Sequence, residues 1–136
     1  MGLPGNDAGA PQTAQNLIHI VDDEPMLLEL AQAILCPIGY QVVGFRSGES
    51  ALRAFESADR KPALLITDYA MGLEVMNGLE LVKACRKAVP QLKVLLLSGT
   101  VDESVYANFD EKPDAFLGKP YHPQQLVQIV RKLLGS

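Results

Sequence analysis

The chain has 136 residues, 48% of them hydrophobic, and a formal net charge of -4 at pH 7. That is enough apolar material for one core and too little for two, and the acidic balance argues against a nucleic-acid surface. No run approaches the ~18 apolar residues of a membrane span and the N-terminus lacks the basic-then-apolar layout of a secretion signal, so the expectation is a soluble cytoplasmic protein.

Residues Met1 to Gln15 are rich in Gly, Pro, Ala and polar side chains without a hydrophobic period. They read as a disordered tail or expression remnant, with the folded domain expected over 16–136. Leu17 to Val21 is a short apolar strand that stops at Asp22-Asp23-Glu24-Pro25. A helix follows, with Met26, Leu27, Leu30, Ile34 and Leu35 on one stripe, Asp23 or Glu24 at its start and Gly39 past its end. Tyr40 to Phe45 is a second strand, and Ser47 caps a helix carrying Ala51, Leu52 and Phe55 at helical spacing. Pro62 introduces a third apolar run, Ala63 to Ile66, too short for a comfortable helix and apolar enough to be covered on both faces, which delivers Asp68 to its end. After a loop through Gly78, Leu79, Leu81, Val82 and Cys85 mark a third helix ending near Val89-Pro90. Val94 to Leu97 is strand four, with Ser98-Gly99-Thr100 as its turn. A short fourth helix is expected over Glu103 to Phe109. Asp114 to Leu117 is strand five, ending at Gly118-Lys119-Pro120. His122-Pro123 opens a closing helix with Leu126, Ile129, Val130, Leu133 and Leu134 inside. Cys36 and Cys85 lack C-x-x-C spacing and fall in helical patterns, so both are expected as reduced core or groove thiols.

Five strands alternating with five helices predict an α/β fold, a parallel sheet with helices on both faces. In such a sheet ligands bind beyond the carboxyl ends of the strands. Asp22 and Asp23 end strand one, Asp68 strand three, Ser98 strand four and Lys119 strand five, all at one edge. Two like charges about 4 Å apart repel by roughly 4 kcal/mol at an effective dielectric of 20, so three carboxylates gathered there need a cation. With oxygen ligands and no His or thiolate among these residues, Mg2+ is favoured over zinc, with Mn2+ as a substitute. Mg2+ bridges readily to phosphate, which points to phosphoryl transfer.

The series Val21-Asp22-Asp23-Glu24-Pro25, Asp68 with Met76-Asn77-Gly78, Leu97-Ser98-Gly99 and Lys119-Pro120 resembles the receiver domain of two-component response regulators, from about residue 16 to the C-terminus. The resemblance implies a doubly wound, flavodoxin-like five-stranded sheet in the order 2-1-3-4-5. It also implies that Asp68 accepts a phosphoryl group from a histidine kinase or a histidine phosphotransfer protein. Asp23, with Asp22 and the backbone carbonyl of Ala70, would hold Mg2+ beside Asp68. Ser98 would be the switch hydroxyl, Lys119 the phosphoryl ion pair and Phe116 the switch aromatic. The output would be repacking of the face made by the fourth helix, strand five and the closing helix, read by a downstream protein or by an output domain outside this chain. On this reading the chain is a regulatory phosphoacceptor, with at most self-phosphorylation from small donors and weak self-dephosphorylation.

Each residue also has a plainer reading. Asp23 or Asp68 could cap a helix, Ser98 could bond its own turn, Lys119 could be a solvated loop lysine, and Phe116 could be core. Tyr106, His19, His122 and both cysteines are taken as structural. The loop Asp68-Tyr69-Ala70-Met71-Gly72-Leu73-Glu74-Val75-Met76-Asn77-Gly78 is two residues longer than the family pattern, has Gly72 where Pro is usual, and is expected to be more mobile for it. Glu111-Lys112-Pro113-Asp114 replaces a small residue and Gly before strand five. Such departures keep open a degenerate receiver that works by phosphorylation-independent contact. An aspartate-nucleophile phosphatase would want a second Asp where Ala70 stands, and flavin phosphate would be repelled by the acids after strand one.

Overall fold

The computed structural model describes residues 12–69, 76–99 and 112–135. Strand and helix alternate along them: β1 (Gln12–Val21), α1 (Pro25–Leu35), a 3-10 turn (Cys36–Ile38), β2 (Gln41–Phe45), α2 (Gly48–Ser57), β3 (Arg60–Asp68), α3 (Gly78–Ala88), β4 (Lys93–Ser98), β5 (Ala115–Gly118) and α4 (Pro123–Leu134). The strands form one parallel sheet in the order β2-β1-β3-β4-β5. The expected helix over Glu103–Phe109, with Tyr106, lies outside the described residues. No helix among the described residues is long and apolar enough to cross a membrane.

Side chains alternate across the sheet, so the strands feed two cores. On one face Ile18, Ile20, Leu64, Ile66, Leu95 and Leu97 pack with Leu28, Ala31 and Leu35 of α1 and Leu126 and Val130 of α4. On the other, Val21, Leu65 and Val94 pack with Ala51 and Phe55 of α2 and Leu81, Val82 and Cys85 of α3. From Leu64 to Asp68 every residue of β3 is buried, as a strand covered on both faces requires.

Local signals set most boundaries. Ser47 accepts the Ser50 N–H at 3.1 Å and caps α2; Asn77 and Glu80 form a reciprocal capping box on α3. His122 heads α4, its N–H donating to Gln125 Oε1 at 2.8 Å. Gly39 ends the 3-10 turn with φ 108°, a backbone that residues with a Cβ avoid.

Three expectations need correction. α1 does not bury the stripe of Met26 and Leu30: these are 77% and 42% exposed, while Leu28, Ala31 and Leu35 face the sheet. The helix is apolar around most of its circumference, so periodicity alone could not choose its inner face. β1 and β3 both start earlier than expected, and Gln12 to Ala14 pair with Arg60 to Pro62 before a register shift that resumes at Ile18. Polar strand ends that find a partner only across the sheet leave no local alternation to read. Cys36 is exposed rather than buried, whereas Cys85 is a core thiol whose pKa burial pushes up to about 12.

His19 is 5% exposed in the middle of β1, its ring 5.1 Å from that of Phe45. Burial, aided by the nearby Lys61 charge, lowers its pKa to about 4. The folded state therefore holds a neutral imidazole, and stability present above pH 6.5 is lost as the unfolded chain takes up the proton below it. Between pH 7 and pH 5 this site should remove up to about 2 kcal/mol of unfolding free energy in the wild type and none in His19→Leu. Urea denaturation at the two pH values checks this; equal pH dependence in both proteins would refute it.

Candidate functional site

Parallel strands end at one rim, and the residues that follow β1 and β5 meet there with the last residues of β3 and β4. Each is held by the sheet's own ladder: Asp22 N–H donates to the Phe45 carbonyl at 3.0 Å, Tyr69 N–H to Leu97 at 3.0 Å and Lys119 N–H to Ser98 at 2.9 Å. Asp22 is 1% exposed, Ser98 5% and Asp68 7%, so the rim is a pocket floor rather than a solvated loop. The carboxylates of Asp22, Asp23 and Asp68 offer oxygens that all lie within 4.8 Å of one another.

Lys119 reaches into this group. Its Nζ lies 3.1 Å from Asp22 Oδ2 and 3.3 Å from Asp68 Oδ2. Three carboxylates and one ammonium leave a formal charge of minus two, which a divalent cation would cancel. Burial raises the Asp68 pKa to about 6; Lys119 pulls it down, and Asp22 and Asp23 push it further up. Burial opposes the charge on Lys119, but Asp22 and Asp68 outweigh that and hold its pKa above the usual lysine value.

The helix-cap readings of the two key acids fail on geometry. α1 has Glu24 as its N-cap, without a side-chain bond, and Asp22 Oδ1 instead accepts the Glu24 N–H at 3.0 Å in a local turn. α3 is capped by Asn77, which leaves Asp68 free of that duty. Asp23 is half-buried beside Asp22. Ser98 follows Leu97, the register partner of Asp68, and so stands at the next strand's end. Phe116 is partly buried on β5, two strands from β3, and packs, like Tyr69, against Leu79 and Leu96. The Lys119–Pro120 peptide is cis. Ala70, Gly72 and Glu74 lie outside the described residues.

Two contributors were not anticipated. Gly78 approaches the backbone so closely that a Cβ there would run into the Asp68 carbonyl oxygen and stand 3.1 Å from Tyr69 Cα. Its place in the Met76-Asn77-Gly78 run was visible, but not the reason for it. Tyr121 is half-buried near the acids, and burial, with the Asp22 charge, raises its pKa. Nothing local in the sequence signals that proximity, which depends on how the chain turns after Lys119.

The donor set fits a hard cation. Oxygens sharing one Mg2+ stand at most about 4.2 Å apart, a separation that small side-chain rotations reach from the observed spread.

A five-stranded parallel sheet in this order, with acids after β1 and β3 and a lysine after β5 meeting at one rim, defines a flavodoxin-like domain with an acidic pocket. The chain belongs to the response regulator receiver domain family, whose pattern it matches over residues 18–131. It is 34% identical over 115 residues to the response regulator receiver protein CpdR of Brucella abortus, covering 83% of this chain and 91% of that one. It is 32% identical over 120 residues to the nitrogen assimilation regulatory protein NtrX of Azorhizobium caulinodans, covering 88% of this chain but 26% of NtrX. Among solved structures, a CheY-like receiver domain protein from Methanospirillum hungatei JF-1 superposes with a TM-score of 0.79 at 26% identity, over 90% of this chain and 95% of that one. Receiver domains are regulatory switches, and two-component signalling is the setting in which this family works.

The raised Asp68 pKa means that the folded state binds its proton more readily than the unfolded chain, so ionisation costs stability above pH 6 and the cost disappears towards pH 3.8. In chelator at pH 7.5, Asp68→Asn should be about 1–3 kcal/mol more stable than wild type, and the gain should vanish at pH 4 or with saturating Mg2+. Denaturant titrations under the three conditions check it; a destabilised Asp68→Asn at pH 7.5 would contradict the electrostatic account. Gly78→Ala should lose about 1–3 kcal/mol through the clash with the Asp68 backbone, as thermal unfolding would show.

Proposed function

We propose that the chain is a phosphoacceptor switch of a two-component or phosphorelay system, with Asp68 taking the phosphoryl group from a phosphohistidine of a partner protein. The observation that carries this reading is the Lys119 ammonium set between Asp22 and Asp68 in a buried acidic pocket. An Asp68 carboxylate oxygen attacks phosphorus as the P–N bond breaks. The electron pair leaves with the imidazole, which takes up a proton, and an acyl phosphate remains on Asp68. Charge spreads over the equatorial phosphoryl oxygens during transfer, and fixed positive groups aimed at them lower the barrier. Lys119 is one such group, and Ser98, at the adjoining strand end, supplies a hydroxyl to the same oxygens. Mg2+ held by Asp22, Asp23 and Asp68, with the Ala70 carbonyl, would neutralise the remaining negative charge.

Position in the sheet supports Asp68 as the nucleophile among the three acids. It lies on the central strand, beside Lys119, with its backbone pinned by Gly78. Leu27, Leu30, Lys119, Pro120 and Tyr121 line a mostly apolar groove, a seat for the protein that presents the phosphohistidine. Once phosphorylated, Asp68 draws Ser98 inward, Phe116 moves into the space released, and the face made by β5 and α4 repacks. Such a shift needs about 1.4 kcal/mol of differential stabilisation for every tenfold change in population. A downstream protein, or an output domain as long as those of relatives such as NtrX, would read the repacked face.

Incubation with acetyl phosphate and Mg2+ followed by intact mass should show one phosphoryl adduct on wild type and none on Asp68→Asn. Lys119→Met should label at least about tenfold more slowly. An unlabelled wild type, with Mg2+ shown to bind, would leave a phosphorylation-independent interaction module as the reading.

A further inference from the structure

Glu49 lies in the first turn of α2, but its carboxylate serves a different part of the chain: Oε2 accepts the Met76 N–H at 3.0 Å. Met76-Asn77-Gly78 is the stem by which the chain returns from the loop after Asp68 into α3. The other end of this stem is fixed to the acceptor strand, since Gly78 N–H donates to the Tyr69 carbonyl at 2.9 Å and Gly78 itself abuts the Asp68 carbonyl. α2 is pressed against the stem as well: a Cβ on Gly48 would meet the Met76 carbonyl oxygen at 3.3 Å and its Cγ at 3.1 Å. The stem is thus held from two sides, by the backbone of Asp68 and Tyr69 and by the carboxylate of Glu49.

The second oxygen of Glu49 is buried, with no hydrogen-bond partner among the described residues. Holding a polar atom in that state costs about 1–3 kcal/mol. Helix formation does not account for it. Ser47 already caps α2, and an acid in the first turn gains its dipole benefit of about 0.3–1 kcal/mol while pointing at solvent. A partly buried carboxylate with one oxygen buried and unpartnered at a junction of this kind calls for a reason in function.

We propose that Glu49 is a positioning residue for Asp68: by tying down the return stem it keeps Gly78 against the Asp68 backbone, and so keeps the acceptor carboxylate in register with Asp22, Asp23 and Lys119. The proposal rests on the reading of Asp68 as the phosphoacceptor. It assigns to α2 a part in the reaction that neither the acids nor the lysine reveals. The bond requires an acceptor oxygen at the Oε2 position and no negative charge. Glu49→Gln therefore preserves it, and places a neutral amide nitrogen where the orphaned oxygen stands.

The test compares full-length wild type, Glu49→Ala and Glu49→Gln by amide hydrogen exchange and by the rate of labelling with acetyl phosphate at saturating Mg2+. Loss of one hydrogen bond should speed exchange of the Met76 and Gly78 amides in Glu49→Ala by about tenfold and slow labelling by a similar factor, while β3 and β4 amides keep their protection. Glu49→Gln should return both readouts to within about twofold of wild type. If Glu49→Ala fails to fold, Glu49→Asp, one methylene too short to reach Met76, carries the same expectation. Unchanged exchange in the Ala variant, wild-type labelling despite faster exchange, or a Gln variant as slow as Ala would each overturn the proposal. A wild type that takes no label would instead overturn the phosphoacceptor reading.

Discussion

Negative charge gathered in a poorly solvated place is the constraint from which the rest of the molecule follows. Asp22 and Asp68 are almost wholly buried, Asp23 lies beside them, and Lys119 bridges the first two. A parallel sheet creates this concentration, because every strand discharges its C-terminal residue at the same rim. The sheet also keeps water away from it, since the strands beneath are apolar on both faces. The fold therefore sets both the proximity and the low dielectric that make the proximity costly. β5 is only four residues long, yet it is essential to the balance, because it brings in the one ammonium found within the group among the described residues.

That cost makes the pocket receptive. A carboxylate whose pKa has been raised to about 6 by burial and by like charges favours a proton or a cation more than an exposed aspartate would. Stability is forgone at the rim and restored by whatever binds there, which couples occupancy to the energy of the whole domain. The backbone must hold still for this to work. Ladder bonds at Asp22, Tyr69 and Lys119, and the close fit of Gly78 under Asp68, supply the rigidity.

Much of this was legible before any coordinates, for reasons that differ by element. The buried strands announce themselves as apolar runs, and α3 shows a helical period because one side of it is polar, so Leu79, Leu81, Val82 and Cys85 were readable as its inner face. The acids, Ser98 and Lys119 were readable because each follows a strand. α1 hid its inner face because Met26, Leu27, Leu28 and Leu30 are all apolar, and only packing decides among them. The early pairing of Gln12 with Arg60 rests on register across the sheet, which polar strand ends do not encode locally. Gly78, Tyr121 and Glu49 act through tertiary approach. Glu49 and Met76 are 27 residues apart, and no spacing rule joins them.

The placement of Lys119 also constrains how occupancy at Asp68 could be felt elsewhere. Its ammonium divides its attraction between Asp22 and Asp68, at nearly equal distances. Adding a phosphoryl group to Asp68 puts more negative charge, and three strong acceptor oxygens, on one side of that balance. The lysine must then favour that side over Asp22. Because Lys119 directly follows β5, and its own N–H is bonded to the Ser98 carbonyl, a displacement of its side chain loads β5 and the end of β4 together. Phe116 lies on β5 three residues before Lys119 and packs against Leu79 and Leu96, as does Tyr69, the neighbour of Asp68. The ion pair is thus a short physical link between Asp68 and the strand at the outer edge of the sheet.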